Sequence, residues 1–196
     1  MNTDLATLRT IFSKIVQLEE EDWAYYEQFI EHVSFPKKAF LTKAGEVENY
    51  VYFILSGIVR NYFVRDQREV CMEFGFERHL MSSYASFVSR KASVLNLQAL
   101  TQVRACRISY ENLESVYSVS QKNERLGRLV AERLFAKRFD REMQLLSMSA
   151  EEKYQHLLKT QPELIRKIPV KDIASYLGIH PESLSRIRRK LHRTLS

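Results

Sequence analysis

The chain has 196 residues, 45% hydrophobic and 28% charged, with a formal net charge of +6. That is enough for one ordinary domain plus a small second one, and no stretch has the composition of a disordered or low-complexity segment. No apolar run is long enough to span a bilayer, and the polar start Met1-Asn2-Thr3-Asp4 lacks a signal peptide's basic-then-apolar pattern, so the expectation is a soluble, cytoplasmic protein with no membrane partner.

From Leu5 to about His32 the sequence reads as helical, with Leu8, Ile11, Phe12, Ile15, Trp23, Tyr26, Phe29 and Ile30 recurring at helical spacing. Pro36 ends that texture. Between Ala39 and Ser109 come short β-branched and aromatic runs broken by turns: 51–55, 58–64, 70–76, 94–100 and 103–108. Gly45 and Gly57 stand where a strand pair needs the left-handed backbone that glycine permits. Strands at this spacing predict a compact antiparallel roll, jelly-roll-like in arrangement. Its aromatic residues form either plain core or a pocket lining.

Helical texture returns between about Asn123 and Ser147, where Leu126, Val130, Leu134, Phe139, Met143 and Leu146 form one stripe. A helix of about 25 residues is roughly 37 Å long, more than one small barrel covers. The stripe is therefore read as a dimer helix, its residues Leu126, Val130, Leu134, Phe139 and Met143 meeting a second copy.

Nearly all the excess positive charge lies at the C-terminal end. From Ala150 to Ser196 there are ten Lys or Arg against five Asp or Glu, while the preceding residues hold twenty against nineteen. A basic end on a balanced body suits a phosphate-backbone partner. Within it, Val170 to Leu191 has the spacing of a helix-turn-helix. Ala174 supplies a small residue where two helices touch, Gly178 the left-handed turn, and Leu184 the plug of the interface. Pro181 sits where a second helix begins, the position at which its missing N–H costs nothing. That helix would present Glu182, Ser185 and Arg186 to base edges, with Arg186 reaching guanine bidentately and Glu182 accepting from cytosine N4. His180, Ser183, Arg188, Arg189 and Lys190 would meet phosphate.

Other chemistry has little support. Cys71 and Cys106 make neither a disulfide scaffold nor a four-thiolate cluster and read as reduced thiols in or near a core. The five histidines show no metal-ligand spacing. There is no Gly-rich phosphate loop, Gly-x-Ser-x-Gly elbow or acid/base pair at fixed spacing, so no enzyme is expected.

The order of helical start, glycine-punctuated roll, long helix and helix-turn-helix resembles the Crp/Fnr family of transcription regulators over essentially the whole chain. The specific matches are Ile173 to Gly178, Glu182-Ser183-Leu184-Ser185-Arg186, and Val51 to Val59 with Ser56-Gly57. The resemblance implies an α+β chain in three parts: a cyclic-nucleotide-binding-like sensor domain over 1–120, a dimerisation helix over 121–149, and a winged-helix-like helix-turn-helix domain over 150–196. It implies a homodimer on double-stranded DNA, with RNA polymerase as a further partner. The Glu-x-x-Ser-Arg spacing of Glu182, Ser185 and Arg186 is similar to the Fnr-type branch, which implies a TGA-like half-site.

Two departures qualify the resemblance. Cyclic-AMP-binding members carry a Gly-Glu pair and, about ten residues on, an Arg-Ser or Arg-Thr pair; the matching positions here are Ser82-Ser83 and Ser93. Cyclic AMP is therefore not expected as the effector, and any ligand pocket would involve Ser82, Ser83, Arg90, Lys91 and Ser93. No N-terminal cysteine cluster or haem motif is present, so no metal, haem or iron–sulfur cofactor is expected. The sequence also ends at Ser196, shortly after Leu191, so any wing is expected from the strand-like residues 165–170. The alternative reading is a ligand-binding module whose helix-turn-helix mainly contacts protein.

Overall fold

A computed structural model describes residues 3–194, which form two compact units. The first contains the chain as far as Phe63 and then Phe74–Leu134; the second contains Val64–Glu73 and everything from Phe135 onward.

The first unit opens with α1 (Thr3–Phe12) and α2 (Glu20–Glu27), where one continuous helical stretch to His32 was expected. The break has a local cause. Glu19 and Asp22 form a reciprocal capping box that starts a new helix. The hydrophobic spacing persists across the break because both helices face one cluster, with Phe12 and Trp23 stacked at 6.3 Å. The segment around His32 is not helical but extended: β1 (Glu31–Phe35) pairs antiparallel with β8 (Val103–Ser109), from Glu31↔Arg107 to Phe35↔Val103.

Between them lie β2 (Phe40–Thr42), β3 (Tyr50–Ser56), β4 (Val59–Arg65), β5 (Arg68–Gly75), β6 (Leu80–Met81), α3 (Tyr84–Ser89) and β7 (Asn96–Ala99). The strands form two four-stranded sheets, ordered β1-β8-β3-β6 and β2-β7-β4-β5. Period-two alternation sorts their side chains. Tyr52, Ile54 and Ala105 turn into the core with Val59, Leu97, Ala99 and Val103, while Phe53 and Cys106 turn to a second cluster with Leu8, Trp23 and Tyr26. Gly57, at φ 94°, joins β3 to β4, and a Cβ there would meet the Gln102 carbonyl oxygen at 2.3 Å. Only glycine fits that turn.

α4 (Tyr110–Val119) leads into α5 (Gln121–Ser147), a helix of 27 residues. The lone glycine inside α5 has a packing reason, because a Cβ at Gly127 would meet the Tyr117 ring of α4 at 2.4 Å. In the second unit α6 (Ala150–Thr160), α7 (Pro162–Lys167), α8 (Val170–Leu177) and α9 (Pro181–Thr194) follow the end of α5. The wing expected from residues 165–170 is not a strand: α7 extends to Lys167, with Pro162 in its first turn. After Ile168 and Pro169 the chain enters α8. The described elements from Ala150 to Thr194 are thus all helices.

Candidate nucleic-acid interface

The second unit is organised around Leu157, Leu164, Ile168, Ile173, Ala174, Leu177 and Leu184, each at most 5% exposed. Ala174 and Leu184 are fully buried, which lets α8 and α9 approach closely. Gly178 caps α8 in the left-handed conformation (φ 64°, ψ 34°), and Ile179 N–H donates to the Ala174 carbonyl at 3.0 Å. Pro181 then opens α9, whose first turn is fixed by Leu184 N–H donating to the His180 carbonyl at 3.1 Å. Ala174 and Leu184 thus lie buried on either side of a turn made by Gly178 in the left-handed conformation.

The consequence is a sided α9. Leu184 faces the core and Ile187, Arg188 and Leu191 are half-buried, while Glu182, Ser185, Arg186 and Arg189 are exposed. Those four recur at steps of three, one and three, so they share one face. Arg189, expected at phosphate, stands in line with the three base-reading candidates. Ser185 Oγ donates back to the Pro181 carbonyl at 3.0 Å, and Arg186 reaches Ser183 Oγ at 3.4 Å. The side chains of Glu182, Arg188 and Arg189 have no hydrogen-bond or ion-pair partner among the described residues. Lys190 differs, being held by Glu151 of α6 at 2.7 Å. His180 is exposed beside the start of α9.

The α5 stripe divides between the two units. Leu126 is 2% exposed, buried in the first unit's own cluster with Val130 packed on it. Burial in its own core removes Leu126 from the face open to a second copy, which corrects that expectation. Leu134 is half-buried. From there Phe135, Phe139, Met143 and Leu146 are 74%, 54%, 45% and 76% exposed. Leu146 belongs to the stripe that spacing supplied, and Phe135 is a further exposed apolar residue of α5 beside it.

Of the residues expected around a sensor pocket, Ser82, Ser83 and Ser93 are buried, and they are hydrogen-bonded to each other or to nearby backbone. Ser93 Oγ donates to the Leu95 carbonyl at 2.8 Å and lies 2.7 Å from Ser83 Oγ; Ser82 Oγ donates to the Tyr50 carbonyl at 3.0 Å. Arg90 Nη1 donates to the carbonyls of Glu48 (2.7 Å) and Phe87 (3.1 Å), Nη2 donates to Asn49, and the guanidinium lies 4.4 Å from the Tyr110 ring. Lys91 is exposed.

At the centre is a residue the sequence did not single out. Glu48 is 1% exposed, and its carboxyl accepts from Thr42 Oγ1 (2.7 Å), Tyr50 N–H (3.1 Å) and Ser83 N–H (3.2 Å). Burial raises its pKa above the usual carboxylate value, against those hydrogen bonds, which lower it. Only the three-dimensional network marks it. Among the described residues no three His, Cys, Asp or Glu side chains gather as a metal site would, and no helix is long and apolar enough to cross a membrane.

Residues 32–120 match the family model of the cyclic nucleotide-binding domain. No curated protein matches the chain. Among solved structures, FixK2 from Bradyrhizobium japonicum superposes with a TM-score of 0.69 at 21% identity, covering 84% of this chain and 85% of that one. The c-di-GMP-responsive regulator CLP from Xanthomonas campestris gives 0.66 at 17% identity, over 90% and 93%. A Crp/Fnr-family transcriptional regulator from Eubacterium rectale gives 0.65 at 19%, over 90% and 85%.

Proposed function

We propose that this chain, whose sheets form a cyclic nucleotide-binding domain and whose fold is that of Crp/Fnr regulators, is a dimeric, sequence-specific DNA-binding transcription regulator of the cytoplasm and not an enzyme. One observation carries the reading: the outer face of α9 offers Glu182, Ser185, Arg186 and Arg189 from a rigidly capped helix-turn-helix. Arg186 and Glu182 address one G·C pair and Ser185 a neighbouring base, while His180, Ser183, Arg188, Arg189 and Lys190 meet phosphate.

The second half of α5 supports the dimer. Phe135, Phe139, Met143 and Leu146 make an apolar row that a second copy would cover. Pairing along it would set two recognition helices about 34 Å apart, one turn of duplex. RNA polymerase is the further partner of such a regulator.

Cyclic AMP does not suit the roll. A bound phosphate would need donors, yet Ser83 N–H already serves Glu48 and the Ser83 hydroxyl is engaged with Ser93. It would also approach a buried acidic group, and Arg90 is tied to Glu48, Phe87 and Asn49.

Selection from a randomised duplex library with the purified, ligand-free chain tests this reading. Enrichment of a palindrome with TGA-like half-sites is the expected result. A protein-contact role for α9 predicts no enrichment and a DNA affinity nearly independent of salt, because little counterion is released without neutralised phosphates.

A further inference from the structure

β4 and β5 form a hairpin whose far end, Val64–Glu73, belongs to the second unit. It turns through Asp66 and Gln67, both left-handed at φ 49° and 60°, the backbone that a two-residue hairpin loop requires. β5 lies at the edge of its sheet, and an edge strand leaves alternate backbone groups open. One side chain of α8 closes two of them. Ser175 Oγ accepts from Cys71 N–H at 2.9 Å and donates to the Glu69 carbonyl at 2.9 Å.

Neighbouring contacts fix the same strand. Glu73 holds Lys137 Nζ at 2.8 Å and Arg138 Nη2 at 3.4 Å, both from α5. Cys71 is 6% exposed. The Arg141 guanidinium lies 3.8 Å from the Tyr176 ring and donates to the Tyr176 carbonyl. Burial lowers the Arg141 pKa, while Tyr176 and Cys71 act to raise it.

We propose that Ser175 is a positioning residue for DNA binding, through which the β4–β5 hairpin sets α8 and so α9. The proposal rests on the DNA-binding reading above. Residues 165–170 supply no strand, and the hairpin end supplies the strand residues of this unit among those described. β4 and β5 run without a break into the sensor roll, so a change in their twist is delivered to α8 by two hydrogen bonds. α8 and α9 share the Ala174 and Leu184 contact, so the second helix follows the first. The hydroxyl is the necessary group, because it both donates and accepts.

The test uses the full chain, with Ser175→Ala, Ser175→Thr and Glu73→Gln. Amide hydrogen exchange is read over 64–73, and affinity is measured for the duplex that wild type selects. Two hydrogen bonds predict that Ser175→Ala speeds exchange at the Cys71 amide about tenfold, leaves β3 and β8 amides unchanged, and weakens operator binding about fivefold. Ser175→Thr restores both. Glu73→Gln, which leaves α8 intact, gives a smaller change of the same sign and serves if the alanine variant does not fold. Unchanged exchange overturns the docking; faster exchange with unchanged affinity, or failure of threonine to restore it, overturns the positioning role. A wild type that selects no duplex sinks the DNA-binding reading and this role with it. That outcome is told apart from failure of the docking by the exchange measurement, which needs no DNA.

Discussion

The roll and α9 each hold a cluster of polar side chains, and the two clusters are in opposite states. In the roll, Glu48, Thr42, Ser83, Ser86 and Ser93 are buried and bonded to one another or to nearby backbone. On α9, Glu182, Arg186 and Arg189 are exposed, and two of them have no partner among the described residues. Both clusters include residues that sequence reasoning nominates for contact with a ligand. A saturated network holds structure together, and groups with open valences remain for a partner. The difference teaches that position in the fold nominates a site, while the state of its hydrogen bonds says whether it is free to bind.

The largest effect should come from breaking the saturated side. Glu48→Ala would strand three buried donors, each costing about 1–3 kcal/mol, so a loss of about 3 kcal/mol or more in the unfolding free energy is expected by denaturant titration. Glu48→Gln keeps an acceptor and should lose less. The raised pKa adds a pH signature with a defined sign. A carboxyl whose folded pKa lies above its unfolded value favours the fold at low pH, and that contribution is lost as pH rises through the folded value. Stability should therefore fall on going upward from the ordinary carboxylate range, and Glu48→Gln should flatten the profile. A flat wild-type profile would mean that the network stabilises the charged carboxylate.

The open side is broken by Arg186→Ala. Loss of a bidentate base contact is expected to weaken operator binding by about 1–3 kcal/mol, and random duplex far less. Competition binding on both duplexes checks it. Equal loss on the two would reduce Arg186 to a phosphate contact and erase the contrast between a saturated roll and a reading helix.

The open cluster was legible in the sequence because its signal is local. Ala174, Gly178, Pro181 and Leu184 fix a turn within eleven residues, and the exposed face of α9 follows from helical period alone. The saturated cluster was legible only in part. Ser82, Ser83 and Ser93 were found by matching positions, but Glu48 reaches Ser83 across 35 residues and no short-range pattern encodes that. The β4–β5 turn escaped notice for a related reason. Asp66 and Gln67 adopt positive φ without a glycine, held by the strands on either side. Leu126 was assigned to a partner because spacing reports that a residue is buried and says nothing of what buries it. The helical form of residues 162–167 was missed as well, although Pro162 at a first turn is a start signal that could have been read.

The smallest effect lies inside the α9 surface itself, where Lys190 and Arg189 are neighbours in sequence but not in state. Lys190 is already paired with Glu151 at 2.7 Å, and Arg189 has no partner among the described residues. An exposed ion pair contributes about 0–1 kcal/mol, so a phosphate can displace Glu151 from Lys190 at little cost, but the net gain is reduced by what that pair supplied. Arg189→Gln should accordingly lower the salt dependence of DNA affinity by about one phosphate contact, and Lys190→Gln by less. Glu151→Gln should release Lys190 and raise the slope. Equal slopes for the two glutamine variants would mean that the Glu151 pair does not survive on DNA, and that on this face the distinction between engaged and open side chains ends when the duplex arrives.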